Sequence, residues 1–222
     1  MGSEMCIRDR EATTRRLPDL KERHLPENCR ETINTILKET YGYEQFRNLE
    51  IYDDLSKGKE KLCISQGQLI ENVILEAEKA WKGETQVDNI LLTAPTGSGK
   101  SLLFQLPAIY LGKEYNLLTI VVSPLKALIV DQVESLQELG YMRVAYASSD
   151  LSPEQKMEVY RQVREGEIDL FYLSPELLLS YDIKHFVGER RIGLVVVDEA
   201  HTVTTWGKEF RVDYWFLSLI HI

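Results

Sequence analysis

Ala94-Pro95-Thr96-Gly97-Ser98-Gly99-Lys100-Ser101 is the stretch that decides the fold. Gly97 and Gly99 free consecutive backbone N–H groups to point inward, and a lysine and a serine follow directly. Such a loop cradles the phosphates of a nucleoside triphosphate when a strand leads into it and a helix leaves it. Asn89 to Thr93 is a compact apolar run of strand type, and Lys100 to Leu111, closed by Gly112, reads as the helix. In that setting Thr96, Gly97, Ser98 and Gly99 line the phosphates, Lys100 reaches the β and γ oxygens, and the Ser101 hydroxyl ligates Mg2+. Ala94 stands where the general pattern has its first glycine.

Working outward, Asp198 and Glu199 follow the apolar run Leu194 to Val197, which sets both carboxyl groups at the exposed end of a buried strand. There Asp198 suits a metal-binding acid and Glu199 a base that directs water. An Asp-Glu pair alone is common on solvated surfaces, and its pairing with the phosphate loop is what raises it above that. Leu118 to Val122, Arg143 to Ala147, Asp169 to Leu173 and Gly193 to Val197 repeat the strand signal. Lys126 to Leu139, Pro153 to Arg164 and Pro175 to Leu179 read as the helices between them. Val-, Ile- and Leu-rich strands alternating with helices predict an α/β fold: a mainly parallel sheet flanked by helices, with its site at the carboxyl ends of the strands.

Residues 1–60 are charged and broken by Pro18, Pro26, Gly42 and Gly58, with one helical segment from Glu31 to Thr40, and form a small helical lead-in. A second helix runs from Gln68 to Trp81. The expected division is 1–60 as lead-in, 61–217 as the nucleotide-binding domain and 218–222 as a tail, with 1–10 and 218–222 carrying no structural meaning. Cys6, Cys29 and Cys63 are odd in number and contain no CxxC pair, which points away from a disulfide framework or a zinc site. The longest apolar runs are of strand length, short of the roughly 20 residues a membrane helix needs, and the N-terminus lacks a signal-like apolar stretch, so no membrane partner and a cytoplasmic location are expected. The net charge of −9 disfavours a generally sticky nucleic-acid binder but leaves room for a local basic groove.

Asp198-Glu199-Ala200-His201 together with the phosphate loop resembles the DEAH-box helicases of superfamily 2, and the stretch from Asp198 to Tyr214 resembles the RecQ-type DNA helicases, which carry an aromatic-rich loop just after that acid segment. The similarity covers about residues 64 to 214. It extends to Phe104-Gln105-Leu106-Pro107-Ala108, to Val122-Ser123-Pro124-Leu125-Lys126-Ala127-Leu128 and to Tyr172-Leu173-Ser174-Pro175-Glu176. The family's Phe-Arg pair before the adenine-reading glutamine falls on Ile64 and Ser65, and Lys208, Glu209 and Val212 replace its usual His, Asp and Pro.

The resemblance implies a RecA-like lobe of a P-loop NTPase that uses ATP and Mg2+, with Gln68 reading adenine and His201 coupling hydrolysis to nucleic-acid contact. It implies single-stranded or duplex DNA as partner, met by Ser123, Pro124, Lys126, Ser174, Pro175, Trp206, Lys208, Phe210 and Arg211, and movement from 3′ to 5′. On the residues alone, Trp206 and Phe210 suit sequence-independent stacking at about 1 to 3 kcal/mol per base, against the alternative that they anchor the final helix in the core. A second RecA-like lobe bearing an arginine finger is not found in the sequence, so the chain by itself is expected to hydrolyse ATP very slowly and to unwind nothing. The alternative is a nucleic-acid translocase or ATP-driven switch subunit in a restriction or phage-defence complex.

Overall fold

The computed structural model describes residues 25–52, 61–90, 92 and 97–199. Its centre is a parallel sheet of four strands, β3 (Leu118–Val122), β4 (Val144–Ala147), β5 (Leu170–Leu173) and β6 (Ile192–Val197), in the order β4-β5-β3-β6. A separate antiparallel pair joins β1 (Asn48–Tyr52) to β2 (Lys61–Ser65). The helices are α1 (Glu31–Tyr41), α2 (Gln66–Trp81), α3 (Leu102–Tyr115), α4 (Lys126–Glu138), α5 (Pro153–Arg164), α6 (Pro175–Ser180) and α7 (Ile183–Val187).

Strand alternation splits the core between the two faces of the sheet. Val121, Leu170 and Tyr172 face one way, onto a cluster shared with α1, α2, α3 and α4. Leu118, Ile120, Val122, Phe171 and Leu173 face the other way, onto Tyr160 and Val163 of α5, Leu177 of α6 and Phe186 of α7. Each such side chain taken fully out of water contributes roughly 1.5–3 kcal/mol, which is why both faces need helical cover.

Local chemistry sets the ends of the helices. Ser152 and Gln155 form a reciprocal capping box with Pro153 in the first turn, so α5 spans the residues expected of it. Ser65 and Gln68 build the same device at the start of α2, two residues ahead of the expected start at Gln68. α3 runs past Gly112 to Tyr115 and is closed by Asn116 in the left-handed conformation at φ 52°. Gly112 therefore does not stop this helix. It is buried, and a β-carbon there would fall 2.3 Å from Asp169 Cγ, so the glycine allows close approach instead of chain reversal.

Three expectations change. The lead-in is not purely helical, because β1 and β2 form a hairpin whose strands lie on either side of residue 60. α7 lies in a segment that carried no element in the sequence reading. Asn89, Ile90 and Leu92 belong to no strand, and Leu91 and Thr93 lie outside the described residues. Leu92 still packs on the core, so its apolar signal reported burial without strand pairing.

Candidate nucleotide site

The phosphate loop, the end of β6 and the start of α2 meet at the carboxyl edge of the sheet. Gly97 and Gly99 take φ values of 80° and 79°, in the left-handed region that glycine enters freely. A β-carbon on Gly99 would come within 2.7 Å of Gln66 Nε2. Gln66 is 2% exposed and clamps the loop from behind: its Nε2 donates to Ser98 O at 3.0 Å, while its Oε1 accepts from Arg47 N at 3.2 Å. After the loop, Leu102 N donates to Gly99 O and Leu103 N to Lys100 O, so α3 opens with a tight turn two residues beyond the expected start at Lys100. Ser101 makes no side-chain capping bond there. Ser98 Oγ is buried with no hydrogen-bond partner. A concave run of backbone N–H groups at a helix N-terminus, with an orphaned hydroxyl beside it, fits phosphate oxygens.

At the end of β6, Asp198 N donates to Val122 O at 2.9 Å, which fixes the backbone against β3. The Asp198 carboxylate accepts from Glu199 N at 2.9 Å and from Gln132 Nε2 at 3.5 Å. Burial raises its pKa above the ordinary aspartate value and the Glu199 charge adds to this, while those two hydrogen bonds and the positive charge of Lys100 pull it down. Lys100 and Asp198, distant in sequence, thus act on each other electrostatically. Glu199 sits at φ 51°, a left-handed conformation that costs a non-glycine residue roughly 1–2 kcal/mol. Among the described residues no three His, Cys, Asp or Glu side chains gather to hold a metal. A cation held here by Ser101 and Asp198 would draw its other ligands from phosphate and water, as Mg2+ commonly does.

Gln68 lies beside this edge on the first turn of α2. Its Oε1 accepts from Ser65 N at 3.0 Å and its Nε2 donates to Pro26 O at 3.2 Å, so the amide is fixed in orientation. It lines a cavity of about 430 Å³ with Phe46, Glu27 and Asn34. The Phe-Arg pair that the sequence failed to supply at Ile64 and Ser65 stands at Phe46 and Arg47, on the far side of the hairpin. Gln66 N donates to Arg47 O at 2.9 Å, and a β-carbon on Gly67 would meet the Phe46 ring at 2.7 Å. The β1–β2 hairpin brings the two halves of the segment together in space.

Ser123, Pro124, Ser174 and Pro175 follow β3 and β5 at the same edge, and all four are buried. Ser123 Oγ has no hydrogen-bond partner. Lys126 is half exposed, pairs with Asp150 at 3.0 Å and donates to Ser149 Oγ. Thr96, His201, Trp206, Lys208, Phe210 and Arg211 lie outside the described residues. Gln66 and Gln132 were missed by the sequence reading. Nothing in their local sequence marks them, whereas the dipeptide Phe46-Arg47 was legible as such and was missed because of its distance from Gln68.

A phosphate loop opening a helix, paired with an acid at the end of a neighbouring parallel strand, defines a P-loop NTPase lobe of RecA type. The family profile for DEAD/DEAH box helicases matches residues 68–219, and the chain belongs to that family. Similar curated proteins include the ATP-dependent DNA helicase RecQ of Haemophilus influenzae, 30% identical over 82% of this chain and 24% of that protein. RecQ of Bacillus subtilis is 32% identical over 84% of this chain and 26% of that protein. The Arabidopsis thaliana ATP-dependent DNA helicase Q-like 5 is 34% identical over 85% and 17%. The chain thus spans about a quarter or less of the length of these relatives. Among solved structures, the DUF1998 helicase MrfA bound to DNA and AMPPNP gives a TM-score of 0.49 at 22% identity, covering 81% of this chain and 22% of that one. Among the described residues no helix is long and apolar enough to cross a membrane.

Proposed function

We propose that this lobe binds ATP and Mg2+ at the carboxyl edge of its sheet, and that the protein containing it is a RecQ-type DNA helicase moving 3′ to 5′ on single-stranded DNA. The observation that carries this reading is the loop of Gly97 and Gly99, held at positive φ at the start of α3 and clamped by Gln66, together with Asp198 at the carboxyl end of β6. The membership of the DEAD/DEAH box helicase family and the RecQ relatives support it.

In this reading the backbone N–H groups of 97–101 hold the phosphates and Lys100 neutralises the β and γ oxygens. Ser101 and Asp198 would hold the metal ion, which would supply positive charge against that developing on the transferred phosphoryl group. Glu199, held at a left-handed φ of 51°, orients the attacking water and accepts its proton on the carboxylate. Gln68 reads the adenine edge from the cavity wall, and Phe46 offers a ring face to the base.

DNA contact falls to Trp206 and Phe210 by stacking, to Lys208 and Arg211 by phosphate pairing, and to the half-exposed Lys126 along the strand backbone, while the buried Ser123, Pro124, Ser174 and Pro175 shape that edge from beneath. His201 couples that contact to Glu199. A second RecA-like lobe completes the site with an arginine, a contribution worth on the order of 10³ to 10⁵ in rate in related phosphoryl transfer. ATP turnover of the complete gene product with single-stranded DNA, duplex DNA and RNA tests the reading. Single-stranded DNA is expected to stimulate turnover at least tenfold over RNA, and Lys100→Ala to abolish it. Equal stimulation by RNA and DNA would contradict the assignment.

A further inference from the structure

Four side chains from four elements form one continuous chain of hydrogen bonds through the core, ending on the metal-binding acid. Tyr41 Oη donates to Gln105 Oε1 at 2.9 Å, and Gln105 Nε2 donates to Tyr172 Oη at 3.2 Å. Tyr172 Oη donates to Gln132 Oε1 at 2.9 Å, and Gln132 Nε2 donates to Asp198 Oδ2 at 3.5 Å. Every link runs in the same direction, from Tyr41 towards the carboxylate. An amide in the middle of such a chain cannot flip without breaking two bonds, so each member fixes the next, and aligned bonds polarise one another. Tyr172 is fully buried and Gln105 nearly so, which shields the chain from competing water. Burial also raises the pKa values of Tyr41 and Tyr172, so both hydroxyls remain donors at any working pH.

The two ends of the chain lie in different parts of the molecule. Tyr41 closes α1 and stacks on Tyr43 at 6.4 Å between ring centroids, just before Glu44, Gln45 and Phe46 of the cavity wall. Asp198 has an acid as its sequence neighbour and receives its side-chain amide bond from Gln132. We infer that Gln132, held by Tyr172 and Gln105, is a positioning residue that aims the Asp198 carboxylate at the metal ion. Through Tyr41 the same chain ties that aim to the wall of the cavity beside Gln68. Gln132 itself touches neither phosphate nor metal. The inference rests on the nucleotide-site reading above and adds to it a means by which the two ends of the site sense each other.

The test is binding of a fluorescent ATP analogue to this chain, with Mg2+ and with EDTA, alongside thermal melting. The quantity read is the factor by which Mg2+ tightens binding. Gln132→Leu is expected to lose about tenfold of that tightening, the scale of a hydrogen bond to a charged group, with affinity in EDTA unchanged and a lowered melting temperature because buried Tyr172 Oη loses its acceptor. Tyr172→Phe, which keeps the ring and removes only the relay hydroxyl, is expected to lose about threefold in the same readout. Full Mg2+ tightening in both variants would overturn the inference, as would equal weakening with and without Mg2+. Lys100→Ala separates the two layers of the account: it should weaken binding in both buffers, and if it does not, the nucleotide-site reading falls and the positioning role falls with it.

Discussion

Two aspartates stand at opposite ends of the same parallel sheet and are treated in opposite ways. Asp169 precedes β5 at its amino end, is 0% exposed, and accepts from Tyr141 Oη at 2.8 Å, Arg143 Nε at 2.6 Å and Arg190 at 3.1 Å. Asp198 follows β6 at the carboxyl end and, among the described residues, has one backbone N–H, one amide at 3.5 Å, the charge of Lys100 and an acidic neighbour. The first acid is saturated by positive charge and fixed by close packing against Gly112. The second receives no arginine bond among the described residues and is followed by Glu199 at a left-handed φ of 51°. A buried charge provided with all its partners is accommodated by a fold, and removing one partner is costly. One left short of them is tolerated only where something else, here a cation and phosphates, completes it.

The largest test of this contrast is Asp169→Ala, which strands Arg190 without its acid and is expected to cost about 3–5 kcal/mol in urea unfolding. ATP affinity should then fall only to the extent that the fold is lost. Arg30→Ala challenges the same rule on the α1 side, where Arg30 meets Glu71 at 2.6 Å and Glu78 at 2.6 Å. It is expected to cost about 2 kcal/mol at neutral pH. Burial pushes the Glu78 pKa up, but hydrogen bonds from Arg30 and Tyr115 outweigh it and hold the carboxyl below its usual value. The stability gained from a depressed carboxyl pKa is present above the unfolded value of about 4.3 and lost as pH falls through the lower folded value. The gap between wild type and Arg30→Ala should therefore narrow below about pH 4.

Gly112→Ala should cost about 1–3 kcal/mol by overpacking against Asp169, with nucleotide affinity intact at temperatures where the variant is folded. The smallest stability effect belongs to the site end of the sheet. Gly99→Ala strains a φ of 79° for about 1–2 kcal/mol, yet it should weaken ATP binding far more than Gly112→Ala does, because its methyl group pushes on the Gln66 clamp. If the two glycine variants lowered stability and ATP affinity in parallel, the division between a structural end and a functional end would not hold.

The sheet was legible because its strands are short apolar runs with turn residues between them. Leu118–Val122 falls where it was expected, and β5 and β6 differ from expectation by one residue at one end. The acids and the phosphate loop were legible because their chemistry is contiguous in sequence. The hairpin was not: its strands are short and separated in sequence, and their pairing depends on a partner across a loop. Phe46-Arg47 was hidden by that same interruption, although the dipeptide itself is intact. Gln66 and Gln132 were invisible for another reason. A glutamine in a helix has no local signature, and each acquires its role only from what folding sets against its amide, Ser98 O in one case and Asp198 in the other.

The contrast between the two aspartates reduces most directly to one variant, Asp198→Asn, with Mg2+-dependent ATP affinity and the urea midpoint measured on the same preparation. The predicted result is a midpoint equal to or above that of wild type, since a partly buried carboxylate whose pKa is raised by that burial is removed, together with loss of the Mg2+-dependent gain in affinity. A lowered midpoint with Mg2+ tightening retained would contradict the account, because Asp198 would then be a structural acid like Asp169.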